Sequence, residues 1–220
     1  MTGRTQPAVL PPPSRAWLAL IGALAALTVV VAGVLYAGRS RPGTVDAWLQ
    51  PPAEGVRAPW RHIALATDFL GEPAGAALLV AALVTACLLM RWPRAAVLVV
   101  AAPGVAVGTT KLLKPLVGRT IYGDNLSYPS GHTAFLAALA LTVALLAASR
   151  LGLGRRAGMF LALTAALVAG AAMGWAQVVL GAHYATDTLG GCCTAVAVTT
   201  ATAWLVDTTA DTRSRARAHR

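Results

Sequence analysis

Six stretches of the chain contain no charged residue and approach or exceed the length needed to cross a bilayer. They comprise residues 16–38, 73–90, 95–110, 133–149, 157–182 and 188–206. A hydrocarbon core about 30 Å thick requires about 20 apolar residues in a helix. The stretches consist mostly of Ala, Leu and Val, without the alternation that is typical of strands. Because backbone groups in lipid must be hydrogen-bonded within the protein, we predict an all-α polytopic membrane protein, a bundle of six transmembrane helices.

The composition excludes several classes of protein. Only 12% of the 220 residues are charged and 57% are hydrophobic, whereas about 25% of the residues in soluble domains are charged. This apolar composition argues against a soluble enzyme, a disordered tail and a nucleic-acid-binding module. The three cysteines lie inside predicted spans without metal-ligand spacing, which argues against a disulfide framework. We divide the chain into an N-terminal segment 1–15, a membrane domain 16–206 and a basic tail 207–220.

The net charge of +10 is distributed unevenly along the chain. Placing both termini on one side of the membrane gives that side a net charge of +9 and the opposite side +1. The side that is richer in Lys and Arg is normally the cytoplasmic one. This asymmetry predicts cytoplasmic termini, and it assigns the basic excess to membrane orientation rather than to nucleic acid.

The longest connection between predicted spans covers residues 39–72. Three of its four acidic residues are balanced by nearby arginines. Within it, residues 60–70 have the pattern of an amphipathic helix, which favours a position on the outer membrane surface.

A short basic segment follows the third apolar stretch and contains Lys111, Lys114 and Arg119. Sixteen of the 18 basic residues are Arg, and the only two lysines of the chain lie here. An ammonium and a guanidinium that converge on one spot are typical ligands of phosphate. The same residues also suit the interfacial end of a helix, so both interpretations are open at this point.

The fourth apolar stretch is preceded by Ser130, Gly131 and His132. Ser130 is a favourable N-cap residue, and Gly131 lets a ligand approach the backbone closely. Free N–H groups at a helix start bind anions, and His132 beside them can exchange a proton near neutral pH. The alternative is an ordinary capped helix with an interfacial histidine.

The sixth apolar stretch is preceded by His183 and Asp187. Residues four apart share a helix face. The carboxylate can therefore accept a hydrogen bond from one imidazole nitrogen and leave the other nitrogen free to attack an electrophile. The alternative is a structural hydrogen bond at the membrane boundary.

The three motifs become more specific when they are taken together. In the predicted topology, all of them lie at span ends on the extracytoplasmic side. Their common placement predicts one phosphate site on that face of the membrane.

Three motifs follow one another along the chain: a basic segment, Pro-Ser-Gly-His at 129–132 and Gly-x-His-Tyr-x-x-Asp at 181–187. This order of motifs resembles the type 2 phosphatidic acid phosphatase superfamily. Lipid phosphate phosphatases, bacterial polyprenyl-diphosphate phosphatases, glucose-6-phosphatase and vanadium haloperoxidases belong to it. The motif region covers residues 111–191, and six spans match the integral-membrane branch.

The resemblance implies a role for each motif residue. His183 would be the nucleophile that forms a phosphohistidine, Asp187 would orient it, and His132 would protonate the leaving oxygen. The phosphoryl oxygens would be bound by Ser130, the Gly131 amide, Lys111 or Lys114, Arg119 and Gln177. The family uses no metal, so the resemblance implies neither a metal nor another cofactor.

Two positions depart from the family pattern. The first motif usually ends in Arg-Pro six residues after a Lys, but counting from Lys114 leads to Ile121 and Tyr122. Either Arg119 takes the neighbouring family position or Lys111 is the partner lysine. The third motif usually carries Arg six residues before the histidine, where this chain has the uncharged donor Gln177. A charge-assisted hydrogen bond is worth roughly 1.5–3 kcal/mol, so these losses predict a weakened site.

The sequence thus predicts a metal-independent phosphatase that acts on a lipid mono- or diphosphate at the outer face of the cytoplasmic membrane. Polyprenyl diphosphate, phosphatidate, phosphatidylglycerol phosphate and prenyl-phosphoryl sugar phosphate are the substrates to consider. The expected partners are the lipid substrate and the bilayer, without nucleic acid. The alternatives are a non-catalytic lipid-phosphate binder or carrier with a degenerate pocket, and a transporter or structural membrane protein with chance motif matches.

Overall fold

The computed structural model describes residues 15–50 and 56–218, with side chains through residue 212. The elements are α1 (Arg15–Tyr36), α2 (Thr44–Leu49), α3 (Trp60–Phe69), α4 (Pro73–Leu89), α5 (Pro93–Val117), β1 (Thr120–Ile121), β2 (Asn125–Leu126), α6 (Gly131–Arg150), α7 (Arg155–Val179) and α8 (Ala185–Ala218). Apart from Arg15, the predicted N-terminal segment 1–15 lies outside the described residues.

Five of the described helices, α1, α5, α6, α7 and α8, are long and apolar enough to cross a membrane. The second predicted span, 73–90, corresponds to α4, which has only 17 residues. Helices α3 and α4 meet at a bend of 60°, in the manner of a broken span or a re-entrant loop. The all-helical membrane fold is therefore confirmed with five candidate spans, whereas a sixth span and the cytoplasmic termini stay predictions.

Helix α8 continues well past the predicted end of its span at residue 206, as far as Ala218. Two ion pairs accompany this extension: Arg15 lies 3.5 Å from Asp207, and Arg94 lies 3.2 Å from Asp211. Asp207 and Asp211 of α8 thus have cationic partners on α1 and α5. The predicted basic tail 207–220 therefore begins as a continuation of the last helix.

Helix α5 includes the basic segment because its chain stays helical as far as Val117. Gly118 ends the helix in the left-handed conformation, with φ at 64°, and its N–H donates to the Lys114 carbonyl at 2.9 Å. Glycine is the residue that adopts this C-terminal conformation without strain. Lys111 and Lys114 consequently lie on the last two turns of α5.

Helix α6 forms the centre of the bundle, and more of it is buried than of any other candidate span. Helices α5, α7 and α8 pack around it through small residues, which allow close approach in membrane helices. An added Cβ at Gly191 of α8 would lie only 2.4 Å from the Ser130 carbonyl oxygen. The starts of α6 and α8 are therefore in direct backbone contact.

The connection between α5 and α6 contains a short hairpin in which Thr120 pairs with Leu126 and Ile121 with Asn125. The Thr120 N–H also donates to the Arg39 carbonyl at 3.0 Å, which attaches the hairpin to the connection after α1. The sequence pattern predicts no strands, and this difference arises because two-residue strands are too short to show alternation.

We expect Gly191→Ala to lower the free energy of unfolding by about 1–3 kcal/mol, because the added methyl group overpacks the α6–α8 contact. Thermal unfolding of the purified protein in detergent measures the effect. Gly104→Ala is the matched control, since an added Cβ at this exposed position in α5 meets no described atom within 4 Å. Equal losses of stability in the two variants would contradict the proposed contact.

Candidate active site

The predicted motifs meet at one end of the bundle, formed by the C-termini of α5 and α7 and the N-termini of α6 and α8. The Ser130 N–H donates to the Asp187 carbonyl at 3.0 Å, which links the second motif to the third. The His183 N–H donates to the Gln177 carbonyl at 3.4 Å. The segments that the sequence predicts to form one site are thus assembled in one place.

The start of α6 has the geometry that the sequence predicts. Ser130 is the N-cap residue, and its Oγ accepts from the Thr133 N–H at 3.4 Å and from the Thr133 hydroxyl at 3.1 Å. Tyr128 fixes the chain just before it, because its hydroxyl donates to the Val29 carbonyl of α1 at 2.8 Å. The first amides of α6 thus form a fixed positive helix end, to which anions bind.

His183 is buried in the short connection between α7 and α8. Its Nδ1 lies 3.6 Å from Asp187 Oδ2, longer than a hydrogen bond but within the range of an ion pair. Burial lowers the pKa of His183 below its ordinary value of 6.5; Asp187 opposes this effect, and the neighbouring Lys114 and His132 add to it. The imidazole is therefore neutral near pH 7, with Nδ1 facing the carboxylate.

Arg119 is fully buried and bridges two carboxylates. Its guanidinium donates to Asp187 Oδ1 and to Asp46 Oδ2, both at 2.6 Å. It also donates to the Thr186 hydroxyl at 2.6 Å. The resemblance implies that Arg119 binds phosphate, but its two terminal nitrogens donate here to Asp187, Asp46 and Thr186, and its buried Nε has no partner among the described residues.

Two tyrosines enclose this guanidinium from either side. The Arg119 Cζ lies 4.2 Å from the centroid of the Tyr36 ring and 4.4 Å from that of Tyr184. Cations are attracted to aromatic faces, most strongly when both groups are desolvated. The aromatic rings thereby compensate part of the cost of burying the arginine.

Asp46 belongs to this cluster and is missed by the sequence analysis. Burial acts to raise its pKa, but hydrogen bonds from the Thr186 amide and hydroxyl, the Gly43 amide and Arg119 outweigh that effect and lower the pKa. Asp46 is one of eight acidic residues in the chain and lies in a connection with several arginines. The sequence therefore carries no local signal that distinguishes it from a surface acid.

The two lysines differ in their surroundings. Lys114 is half-buried, and its Nζ donates to the Leu126 carbonyl at 2.8 Å. Its charge acts on His183 across the site. Lys111, one turn earlier on α5, is exposed. These positions favour Lys114 as the lysine that faces the buried imidazole.

His132, the second residue of α6, lies against the bend between α3 and α4. Its Nε2 is 3.5 Å from Glu72 Oε1 and 3.8 Å from Asp68 Oδ1. Gln177, which is buried on α7, donates a short hydrogen bond to the same Asp68 Oδ1. Asp68 and Glu72 are also missed by the sequence analysis, although their spacing of four residues beside a predicted span was visible.

The arrangement brings together the parts needed for group transfer from a phosphate. A neutral imidazole with an oriented Nε2 is a nucleophile, and a fixed ammonium with a helix N-terminus stabilises phosphoryl charge. His132 supplies a second imidazole next to the helix start. Chemically, the site suits attack by His183 on phosphorus.

The chain is similar to known proteins in sequence and in fold. Residues 14–211 match the family model of the PAP2 superfamily. The fold is similar to that of a transmembrane PAP2-type phosphatidylglycerolphosphate phosphatase from Bacillus subtilis, with a TM-score of 0.59 and 18% identity over 90% of this chain and 96% of that one. No curated protein gave a match to the chain.

We expect Arg119→Met to destabilise the protein by about 3–5 kcal/mol, because it leaves two buried carboxylates without their cation. Arg41→Met, a matched change at an exposed arginine, should have little effect. Thermal unfolding in detergent compares the two variants. Unfolding temperatures that agree within error would contradict the structural role of Arg119.

Proposed function

Because the chain belongs to the PAP2 superfamily, we propose that it hydrolyses a lipid mono- or diphosphate through a phosphohistidine intermediate at the extracytoplasmic membrane face. The observation that carries the proposal is the buried, neutral imidazole of His183, with Nδ1 next to Asp187 and with Lys114 and the α6 N-terminus nearby. The resemblance read from the sequence is confirmed by the family match.

In the first step, His183 Nε2 attacks phosphorus, and the bond from phosphorus to the lipid oxygen breaks. The His132 imidazole stands beside the pocket to protonate the leaving oxygen. Water then attacks the phosphohistidine, which releases phosphate and restores the imidazole. Lys114, the Ser130 side chain and the Gly131 amide would hold the phosphoryl oxygens, and Arg119 would act by fixing Asp187.

An apolar groove next to the site supports a lipid substrate. It has a volume of about 410 Å³ and lies between α1, α5 and α8. Leu113 and Val117, which flank Lys114 on α5, line the groove together with Tyr128. A hydrocarbon chain in the groove would place its phosphate head near Lys114. Polyprenyl diphosphate, phosphatidate and phosphatidylglycerol phosphate all have this form.

A non-catalytic lipid-phosphate binder or carrier is the second candidate. The observation that favours it is the environment of two positions where the family usually has arginine. Gln177 donates to Asp68, and Ile121 is buried and apolar. Neither side chain brings positive charge to a phosphate.

Phosphate release separates the two candidates. We expect detergent-purified protein to release inorganic phosphate from at least one member of a panel of phosphatidate, phosphatidylglycerol phosphate and polyprenyl diphosphate. His183→Ala should reduce the rate by at least about 1,000-fold, because it removes the nucleophile. His62→Ala, at an exposed histidine of α3, is the matched control. Lipid binding without phosphate release would reject the enzyme in favour of the binder.

The acidic limb of the pH profile tests the state of His183. Because its pKa is lowered, the imidazole stays neutral as the pH falls through 6.5 and becomes protonated only below that value. We therefore expect the acidic limb of kcat/KM to have its midpoint below pH 6.5. Lys114→Met should move the limb towards higher pH, since it removes one of the charges that lower this pKa. A limb above pH 6.5 in the wild type, or one that Lys114→Met leaves in place, would contradict the assignment.

A further inference from the structure

Helix α2 buries its acid and exposes its apolar side chains. Asp46, with 1% of its surface exposed, is the one buried residue of this helix. The exposed fractions of the large apolar side chains are 54% for Val45, 60% for Leu49 and 86% for Trp48. These three positions share one face of the helix, because they are three and four residues apart. A surface helix of a water-soluble protein has the opposite arrangement, with its apolar face on the core and its charges in water.

The exposed face of α2 continues an apolar surface of α1. Val45 lines a groove of about 470 Å³ together with Val31 and Leu35 of α1 and Leu189 of α8. Val31, Leu35 and Leu189 are themselves exposed. Because α1 and α8 are candidate membrane spans, their exposed apolar residues face lipid chains. One continuous apolar surface thus leads from the spans onto α2, and the bilayer is the surrounding that fits it.

The place of α2 in the chain puts it near the membrane boundary. Only residues 37–43 separate it from the end of α1, so it lies close to the end of a span. Tryptophan is enriched at this level of a membrane, because its ring is apolar and its N–H is polar. Arg39 and Arg41, which precede α2, are exposed. Arginines at this level pair favourably with lipid phosphates.

Asp46 connects the opposite face of α2 to the candidate active site. Its Oδ1 accepts from the Thr186 N–H at 2.9 Å and from the Thr186 hydroxyl at 2.7 Å. Its Oδ2 accepts from Arg119 at 2.6 Å. The same guanidinium donates to Asp187, the carboxylate next to His183. A displacement of α2 would therefore remove one of the two acids that fix Arg119.

We propose that the outer face of α2, formed by Val45, Trp48 and Leu49, docks into the lipid surface on the side of the candidate active site, and that this contact holds Asp46 in place. Asp46 is then a positioning residue, which acts on the reaction through Arg119. The docking itself is independent of the proposed function, whereas its effect on phosphate release rests on that function.

Brominated lipids test the docking without any measurement of activity. The full-length protein is placed in phospholipid nanodiscs, and the emission of Trp48 is the difference between the wild type and Trp48→Phe. Lipids brominated close to the glycerol backbone should quench this emission more strongly than lipids brominated at the chain end, because α2 lies at the membrane boundary. Trp17→Phe, at an exposed tryptophan in the first turn of α1, gives the reference for a span end. Emission of Trp48 that neither lipid quenches would overturn the docking, whether a soluble protein or a second copy of the chain covers the face instead.

Phosphate release in the same nanodiscs measures the coupling. We expect Trp48→Ser to lower kcat by at least about 5-fold, because it disturbs the position of the reacting groups. KM should change by less than about 2-fold, since other residues line the groove that we assign to the lipid chain. Trp17→Ser is the matched control and should leave kcat unchanged. Equal kcat in the wild type and Trp48→Ser would overturn the coupling.

A double variant tests the route through Asp46. If α2 acts through this carboxylate, Trp48→Ser should lower kcat by less than about 2-fold in the Asp46→Asn background, because the connection is already broken. Independent losses that multiply would overturn the route. If Asp46→Asn does not fold, the comparison of Trp48→Ser with Trp17→Ser still decides the coupling. A wild type that releases no phosphate would reject the proposed function and leave the quenching test of the docking intact.

Discussion

The buried guanidinium of Arg119 is the interaction on which the geometry of the site depends. It joins Asp46, from the connection after α1, to Asp187 at the start of α8. Each carboxylate would be costly to bury without this cation, and the cation would be costly to bury without both acids. Because Asp187 is held from this side, its other oxygen faces His183 at a fixed distance. The imidazole of His183, which we propose as the nucleophile, is thus placed by a buried ion cluster.

Features that depend on neighbouring residues could be predicted from the sequence. The N-cap at Ser130 follows from a local preference for a hydroxyl at a helix start, and it is confirmed. The apolar stretches locate the membrane helices because length and hydropathy are also local properties. The proximity of His132, His183 and Lys114 could be predicted as well, since helix ends on one side of a bundle meet.

Features that depend on long-range pairing could not be predicted from one sequence. Nothing near Asp46 marks it as the partner of an arginine in the hairpin connection, and the basic segment predicts Arg119 as a phosphate ligand and not as the partner of two buried acids. The bend between α3 and α4 was hidden for a related reason. Residues 60–70 carry an amphipathic pattern, but the pattern does not specify that α3 packs on α7 and carries Asp68 to Gln177.

The two histidines of the site lie in different electrostatic surroundings. His183 is buried, and burial together with the charge of Lys114 lowers its pKa and favours the neutral imidazole that the proposed nucleophile requires. His132 is partly exposed, and its Nε2 lies near the carboxylates of Asp68 and Glu72. The amide of Gln177 donates to Asp68 and therefore belongs to the acidic side of the site. Positive charge reaches the site from Lys114 of α5 and from the N-terminus of α6.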